Sequence, residues 1–255
     1  MIANELTADD YAYQFPDHWI YHVSYPEAPF AKLHQYYVHR VIDIIKQSGA
    51  KRVLEPGCGD GWNAGQMVES GLDVVGVDWS QNLVTYGQML APGARFHCGD
   101  VRDAGFLRKF PDEFDAVAFI EVIEHIPPQD VVDAVRNIIS RLRTGGVLVI
   151  TTPHINYPKT HRNHYQHFTP ESLKLILEQV GGLKIVSVEG YGDVRGDRTY
   201  WSRMRFVDNR FYTLKPIKKW LENRLQYTKP SAFDRCHGLI LVAQKTGGEA
   251  GAKFL

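Results

Sequence analysis

The chain has 255 residues, enough for one large domain or a domain carrying an insertion, and enough to bury a substantial core. Its 29 basic and 29 acidic residues cancel, so no global field directs it to nucleic acid or to an anionic membrane. Cys58, Cys98 and Cys236 lack metal-site or disulfide-framework spacing, no apolar run approaches the ~20 residues that cross a bilayer, and residues 1–10 lack a secretion signal; a cytoplasmic protein is expected.

Residues 11–31 are dense in aromatics and prolines, poor material for a continuous helix and suited either to a lid over a pocket or to packing on the core. Residues 31–47 carry Leu33, Tyr36, Tyr37, Val41, Ile44 and Ile45 on one helical stripe, which Gly49 ends. Strands then follow near 52–56, 73–77, 94–97, 115–120, 146–152, 183–190 and 238–244, with helices near 62–70, 80–90, 103–109, 129–142 and 170–180. This alternation predicts an α/β fold: a doubly wound, mostly parallel, seven-stranded sheet with helices on both faces. Thr169-Pro170-Glu171-Ser172 reads as a helix start, and Gly145-Gly146 and Gly181-Gly182 as helix ends before strands. The expected divisions are 1–48 (lid and helix), 49–190 (cofactor-binding core), 191–236 (insertion), 237–246 (final strand) and 247–255 (tail).

Within this frame, Val53-Leu54-Glu55-Pro56-Gly57-Cys58-Gly59-Asp60-Gly61 runs an apolar strand into an acid and three alternating glycines. A second apolar strand ends in Asp78, 17 residues beyond Gly61, where an open α/β sheet hydrogen-bonds a ribose. A dinucleotide turn reads G-x-G-x-x-G and serves a pyrophosphate. Glu55 at the strand end would repel a phosphate but suits an ammonium, which disfavours an NAD-type dehydrogenase. The E-x-G-C-G-x-G order, Asp78, Gly99-Asp100-Val101 and the run from Phe114 to His125 resemble the S-adenosylmethionine-dependent methyltransferases with the Rossmann-like fold. The resemblance covers roughly residues 50 to 190. It implies that Glu55, Gly57, Cys58, Gly59 and Gly61 line the methionine end of the cofactor. Asp78 would hold the ribose, with Trp79 beside the adenine and Asp100 and Val101 contacting it. A helix cap is the competing role for Asp78.

The fourth strand ends in Phe119-Ile120-Glu121-Val122-Ile123-Glu124-His125, on the crevice side of such a sheet. Two carboxylates and an imidazole make a divalent-metal set, to which His164-Tyr165-Gln166-His167 can add a fourth group. The run resembles the ubiquinone-pathway catechol O-methyltransferases and the small-RNA 3′-terminal 2′-O-methyltransferases. By that resemblance Glu121, Glu124, His125 and His167 would hold a metal such as magnesium. Metal-free methyltransferases of sugars and other small molecules show a similar run. In that reading Glu121 holds the cofactor, while His125 or His167, with Glu124, forms the catalytic group. His154 is a weaker base candidate, and His161, Asn163 and Tyr165 are candidate pocket residues.

Between 191 and 235, eleven Lys and Arg outnumber the acids, with aromatics interleaved. This basic, aromatic insertion suggests an anionic acceptor, and its face at Ile217, Trp220, Leu221, Arg224 and Leu225 suits the domain core, a homo-oligomer contact or a membrane surface. The expectation is a methyltransferase acting on a hydroxyl of a small molecule such as a sugar or phosphorylated metabolite. RNA 3′ ends and a quinone or catechol are the alternatives, with N-methylation and a non-catalytic cofactor-binding subunit behind them.

Overall fold

The computed structural model describes residues 14–110, 113–159, 163–194, 203–204, 206–208, 213–224 and 230–247. Helices α1 (Asp17–Ser24) and α2 (Pro29–Gln47) precede β1 (Arg52–Pro56). The prolines of 11–31, expected to preclude a continuous helix, bound two separate ones: Pro16 is the residue before α1, Pro26 lies between them, and Pro29 opens α2, where its missing N–H costs no bond. The chain continues through α3 (Trp62–Glu69), β2 (Asp73–Asp78), α4 (Gln81–Leu90), β3 (Arg95–Cys98), α5 (Ala104–Leu107) and β4 (Phe114–Ile120). A 3-10 turn at Ile123–His125, α6 (Val131–Ser140), β5 (Leu142–Pro153), α7 (Pro170–Val180) and β6 (Leu183–Tyr191) follow, then α8 (Lys215–Arg224), β7 (Pro230–Ser231) and β8 (Gly238–Lys245).

The strand order is β3-β2-β1-β4-β5-β8-β6-β7. Strands β1 to β5 pair in parallel, while β8 is inserted antiparallel between β5 and β6. The sheet therefore has an eighth strand beyond the seven expected: β7, two residues from the end of the insertion, caps the β6 edge. Side chains alternate between the faces. Val53, Ala116, Ala118, Ile120, Val147 and Val149 join the core under α2 and α3, and Leu54, Val117, Phe119, Leu148 and Ile150 join that under α6 and α7.

Thr169 accepts from Ser172 N (3.1 Å) while Ser172 Oγ accepts from Thr169 N (2.9 Å), the expected helix start; Gly181, at φ 73°, ends α7. Gly145-Gly146 does not lie at a helix end: α6 stops at Ser140, and β5 begins at Leu142 and runs through both glycines. Helix α8 exposes Ile217 and Trp220; Leu225, and with it much of the basic stretch, lies outside the described residues. No helix among the described residues is long and apolar enough to cross a membrane.

Candidate active site

The carboxyl ends of β1, β2, β4 and β5 surround a cavity of about 300 Å³ at the point where the strand order reverses, the ligand position of an open α/β sheet. A second chamber of about 70 Å³ shares His18, Tyr37, Gly57, Gly59, Asp60 and Glu121 with it. The turn after β1 forms one wall. Gly57 has φ 72°, and a Cβ there would meet Val122 Cγ2 at 2.4 Å, so only glycine fits. Gly59, at φ 53°, presents bare backbone beneath the His18 ring, whose Cε1 and Nδ1 lie 4.0 Å from where a Cβ would stand.

Asp78 is buried on the same wall, its Oδ2 accepting from Gly59 N (3.0 Å) and its Oδ1 from Ser80 N (2.9 Å). Burial outweighs these bonds and raises its pKa. It is not the helix cap: Ser80 caps α4, accepting from Leu83 N. Trp79 lines the cavity and is 54% exposed. Cys58 lines only the smaller chamber.

Four expected cofactor residues stand elsewhere. Gly61 serves packing, since a Cβ there would lie 2.8 Å from Gly87 Cα and from Phe96 Cζ. Glu55 is buried beside Asn63 and reaches neither cavity; neither of its oxygens accepts a hydrogen bond of normal geometry, and burial pushes its pKa well up. Asp100 is turned onto the Arg102 guanidinium (2.6 Å), and Val101 lies in the core; neither lines the cavity.

Opposite this wall, β4 ends in a sharp bend. Glu121 adopts φ 52°, unusual for a residue with a side chain, and its N–H donates to Thr151 O and Oγ1, both at 3.1 Å. The bend turns Glu121 into the cavity, and the 3-10 turn after it brings Glu124 and His125 to the same side. Burial pushes Glu121 up to about 7 against hydrogen bonds from Thr151 and Tyr191, whose hydroxyl donates at 2.9 Å. Burial, and then the charge of Glu121, raise Glu124 well above the usual carboxylate range.

Glu124, His125 and His164 place one ligand atom each within 4.8 Å of one another, close to the ~4 Å spread set by a single ion with ~2.1 Å bonds. Glu124 Oε2 accepts from Thr152 Oγ1 (3.1 Å), but the buried Oε1 has no partner. His125 Nδ1 donates to Asn163 O (3.1 Å), which leaves the lone pair on Nε2. His167 Nδ1 donates to Tyr157 O (3.1 Å), so its Nε2 must accept from His164 Nδ1 (2.8 Å), and His164 likewise carries its lone pair on Nε2. The donor set that converges thus differs from the expected one: His164 takes the place given to His167, and Glu121 stands apart on Tyr191. With both ring nitrogens engaged inside the protein, His167 is not placed to take a proton from a substrate. His154 is buried outside the cavity, its Nδ1 accepting from Asn156 N. Tyr165 N donates to Glu124 O (2.8 Å) and ties the histidine loop to the site; His161 lies outside the described residues.

Several cavity residues were not foreseen. Tyr191 and His237 arrive from β6 and the start of β8, and each needs a glycine beside it: a Cβ on Gly238 would lie 2.3 Å from the Tyr191 hydroxyl, and one on Gly192 would lie 2.6 Å from His237 Cβ. His237 packs on Tyr157 at 3.9 Å, and burial pushes it down to about 4. From the amino-terminal side come His18, Phe30, Leu33 and Tyr37. Asp60, inside the glycine turn, anchors α1 by accepting from His18 N (2.8 Å) and Trp19 N (3.4 Å).

A glycine turn, a ribose-positioned acid and a carboxylate–histidine cluster across one crevice define a nucleoside-cofactor enzyme. The sequence profile of the methyltransferase-domain family matches residues 30–188, and the chain belongs to that family, an S-adenosylmethionine-dependent methyltransferase. It is 25% identical over 175 residues to the ubiquinone biosynthesis O-methyltransferase of Aliivibrio fischeri, covering 60% of this chain and 74% of that one. Against the enzyme of the same name from Dechloromonas aromatica it is 30% identical over 141 residues, covering 53% and 59%. The fold is similar to that of magnesium protoporphyrin IX methyltransferase from Synechocystis with bound S-adenosylmethionine, with TM-score 0.57, 20% identity and 90% of each chain covered.

Proposed function

We propose that this enzyme methylates one of two adjacent hydroxyls on a small, planar acceptor, held by a divalent metal at Glu124, His125 and His164. The observation that carries the reading is the convergence of an unpartnered buried carboxylate oxygen with two imidazoles whose tautomers direct lone pairs from Nε2. Two nitrogens and one oxygen suit manganese, iron, cobalt or zinc better than the magnesium first expected. Phe30, Leu33, Tyr37 and Tyr157 give the cavity flat apolar walls, which favour a catechol-like ring over a sugar. The O-methyltransferase relatives of ubiquinone biosynthesis point the same way.

The cofactor's place follows from the residues that fit it. Asp78 accepts from the ribose hydroxyls, the bare turn at Gly57 and Gly59 lets the methionine portion lie against backbone, and Glu121 accepts from its ammonium. S-adenosylmethionine, when bound, supplies a methyl group on a sulfonium; a metal, when bound, lowers the pKa of a hydroxyl it holds. The protein's own task is alignment: the Glu121 and Asp78 walls fix the donor, the Glu124 cluster fixes the acceptor, and α1 keeps water from the space between.

Calorimetric titration of chelator-treated protein with manganese and zinc tests the site. One equivalent should bind to the wild type and none to Glu124→Ala or His164→Ala. Metal binding that survives both substitutions rejects the assignment.

A further inference from the structure

We propose that His18 ligates the α-carboxylate of the cofactor, so that α1 is part of the cofactor site and not only its cover. The inference rests on the cofactor placement given above, in which Glu121 takes the ammonium of the same amino-acid group. Three histidines cluster where α1 crosses the glycine turn. His22 Nε2 lies 2.7 Å from His34 Nδ1, and His34 Nε2 lies 2.9 Å from Asn63 Oδ1. His22 also stacks on Trp62 at 3.8 Å. Burial pushes His22 down to about 4 and His34 well below the ordinary histidine value, so both are neutral. His18 differs from them. Burial opposes its charge as well, but the hydrogen bond and charge of Asp60, together with the charge of Asp17, outweigh burial and raise its pKa. Its Nδ1 lies 3.3 Å from Asp60 Oδ1, 46% of the side chain is exposed, and the residue lines the cavity.

The position of this cation is specific. A Cβ on Gly59 would stand 4.0 Å from His18 Cε1 and Nδ1, so the imidazole ring lies directly over bare backbone of the turn. His18 and Glu121 both line the 70 Å³ chamber as well as the main cavity, which puts a cation and an acid around one space the size of an amino-acid head group. With Nδ1 committed to Asp60, Nε2–H is the donor His18 offers, and a charge-assisted bond to a carboxylate is the strongest use of it. Asp60 acts as a positioning residue: its Oδ2 accepts from His18 N and Trp19 N, its Oδ1 accepts from Trp62 N (3.3 Å), and its carbonyl accepts from Trp19 Nε1 (3.0 Å).

Calorimetry with three adenosyl ligands tests this: S-adenosylhomocysteine, decarboxylated S-adenosylmethionine and methylthioadenosine, the last lacking the whole amino-acid group. The His18→Ala protein should lose roughly tenfold or more in affinity for S-adenosylhomocysteine and change little toward the other two. Equal loss toward all three makes His18 a structural residue and overturns the proposal; no loss toward any does so too. Should the variant fail to fold, the wild type still tests the proposal, since it must prefer S-adenosylhomocysteine to decarboxylated S-adenosylmethionine by a similar factor. A wild type that binds S-adenosylhomocysteine and decarboxylated S-adenosylmethionine alike, and both more tightly than methylthioadenosine, overturns the His18 assignment alone. One that binds none of them overturns the cofactor placement with it.

Discussion

Tyr191→Phe removes one oxygen and isolates the electrostatics of Glu121. The Tyr191 hydroxyl donates to Glu121 Oε1 at 2.9 Å in a part-buried setting, and burial pushes Glu121 up to about 7 with that bond in place. A hydrogen bond to a charged group contributes about 1.5–3 kcal/mol, and one pH unit corresponds to about 1.4 kcal/mol, so the substitution should move this titration upward by roughly one to two units. The bond favours the ionised form, and losing it favours the protonated one; the sign is therefore upward. If ionised Glu121 holds the cofactor's ammonium, binding strengthens as pH rises through this titration. At pH 7.5 the variant should bind S-adenosylhomocysteine about three- to twenty-five-fold more weakly than the wild type, which follows from the fraction ionised after such a shift. Calorimetric titrations from pH 6 to 9 would locate the inflection, with methylthioadenosine as the control that lacks an ammonium. An inflection that stays in place in the variant, or that appears equally with methylthioadenosine, refutes the role given to Glu121.

Asp78→Ala should weaken S-adenosylhomocysteine binding by about 1–3 kcal/mol; a folded variant of unchanged affinity rejects the ribose assignment. His167→Phe removes the acceptor that fixes the His164 tautomer without touching a ligand atom. Manganese affinity should fall roughly 10- to 100-fold, and equal affinity shows that the tautomer is set in another way. The His18–Asp60 pair makes the docking of α1 depend on pH. The raised pKa of His18 means its contribution is complete below 6.5 and is lost as pH rises through the higher folded value. The lowered pKa of Asp60 means its contribution is complete above 3.8 and is lost as pH falls through the lower folded value. Amides of α1, corrected for intrinsic exchange, should therefore be better protected at pH 6 than at pH 9, and Asp60→Asn should abolish the difference.

The order of elements was legible because each strand is a short apolar run bounded by glycine, proline or an acid, and each long helix carries a stripe at helical spacing. Prolines at 16–29 indicated that no continuous helix runs through the segment, but composition alone did not show that they mark the boundaries of two short-linked helices. Gly145-Gly146 misled because β5 begins before them, opposite Phe114. At the site, Asp78, Glu124 and His125 were visible from their place at strand ends. Which loop histidine joins them was not, because His164 and His167 differ only in which ring nitrogens the loop engages, a matter of hydrogen bonds and not of spacing. Tyr191 and His237 were hidden by distance along the chain: strand pairing across β6 and β8 brings them in, and their only trace in the sequence is a glycine beside each aromatic ring. His18 and Asp60 were hidden for the converse reason. Asp60 sits inside a turn whose glycines draw the attention, and its partner lies 42 residues earlier.

Methyl transfer to 3,4-dihydroxybenzoate by chelator-treated protein distinguishes metal-assisted methylation of one of two adjacent hydroxyls from a metal-free reaction. A monomethyl ether should form from S-adenosylmethionine only when manganese, iron, cobalt or zinc is restored, and Glu124→Ala should not respond to the metal. Transfer that proceeds equally well in the chelator, or that Glu124→Ala supports at the wild-type rate, would contradict the account.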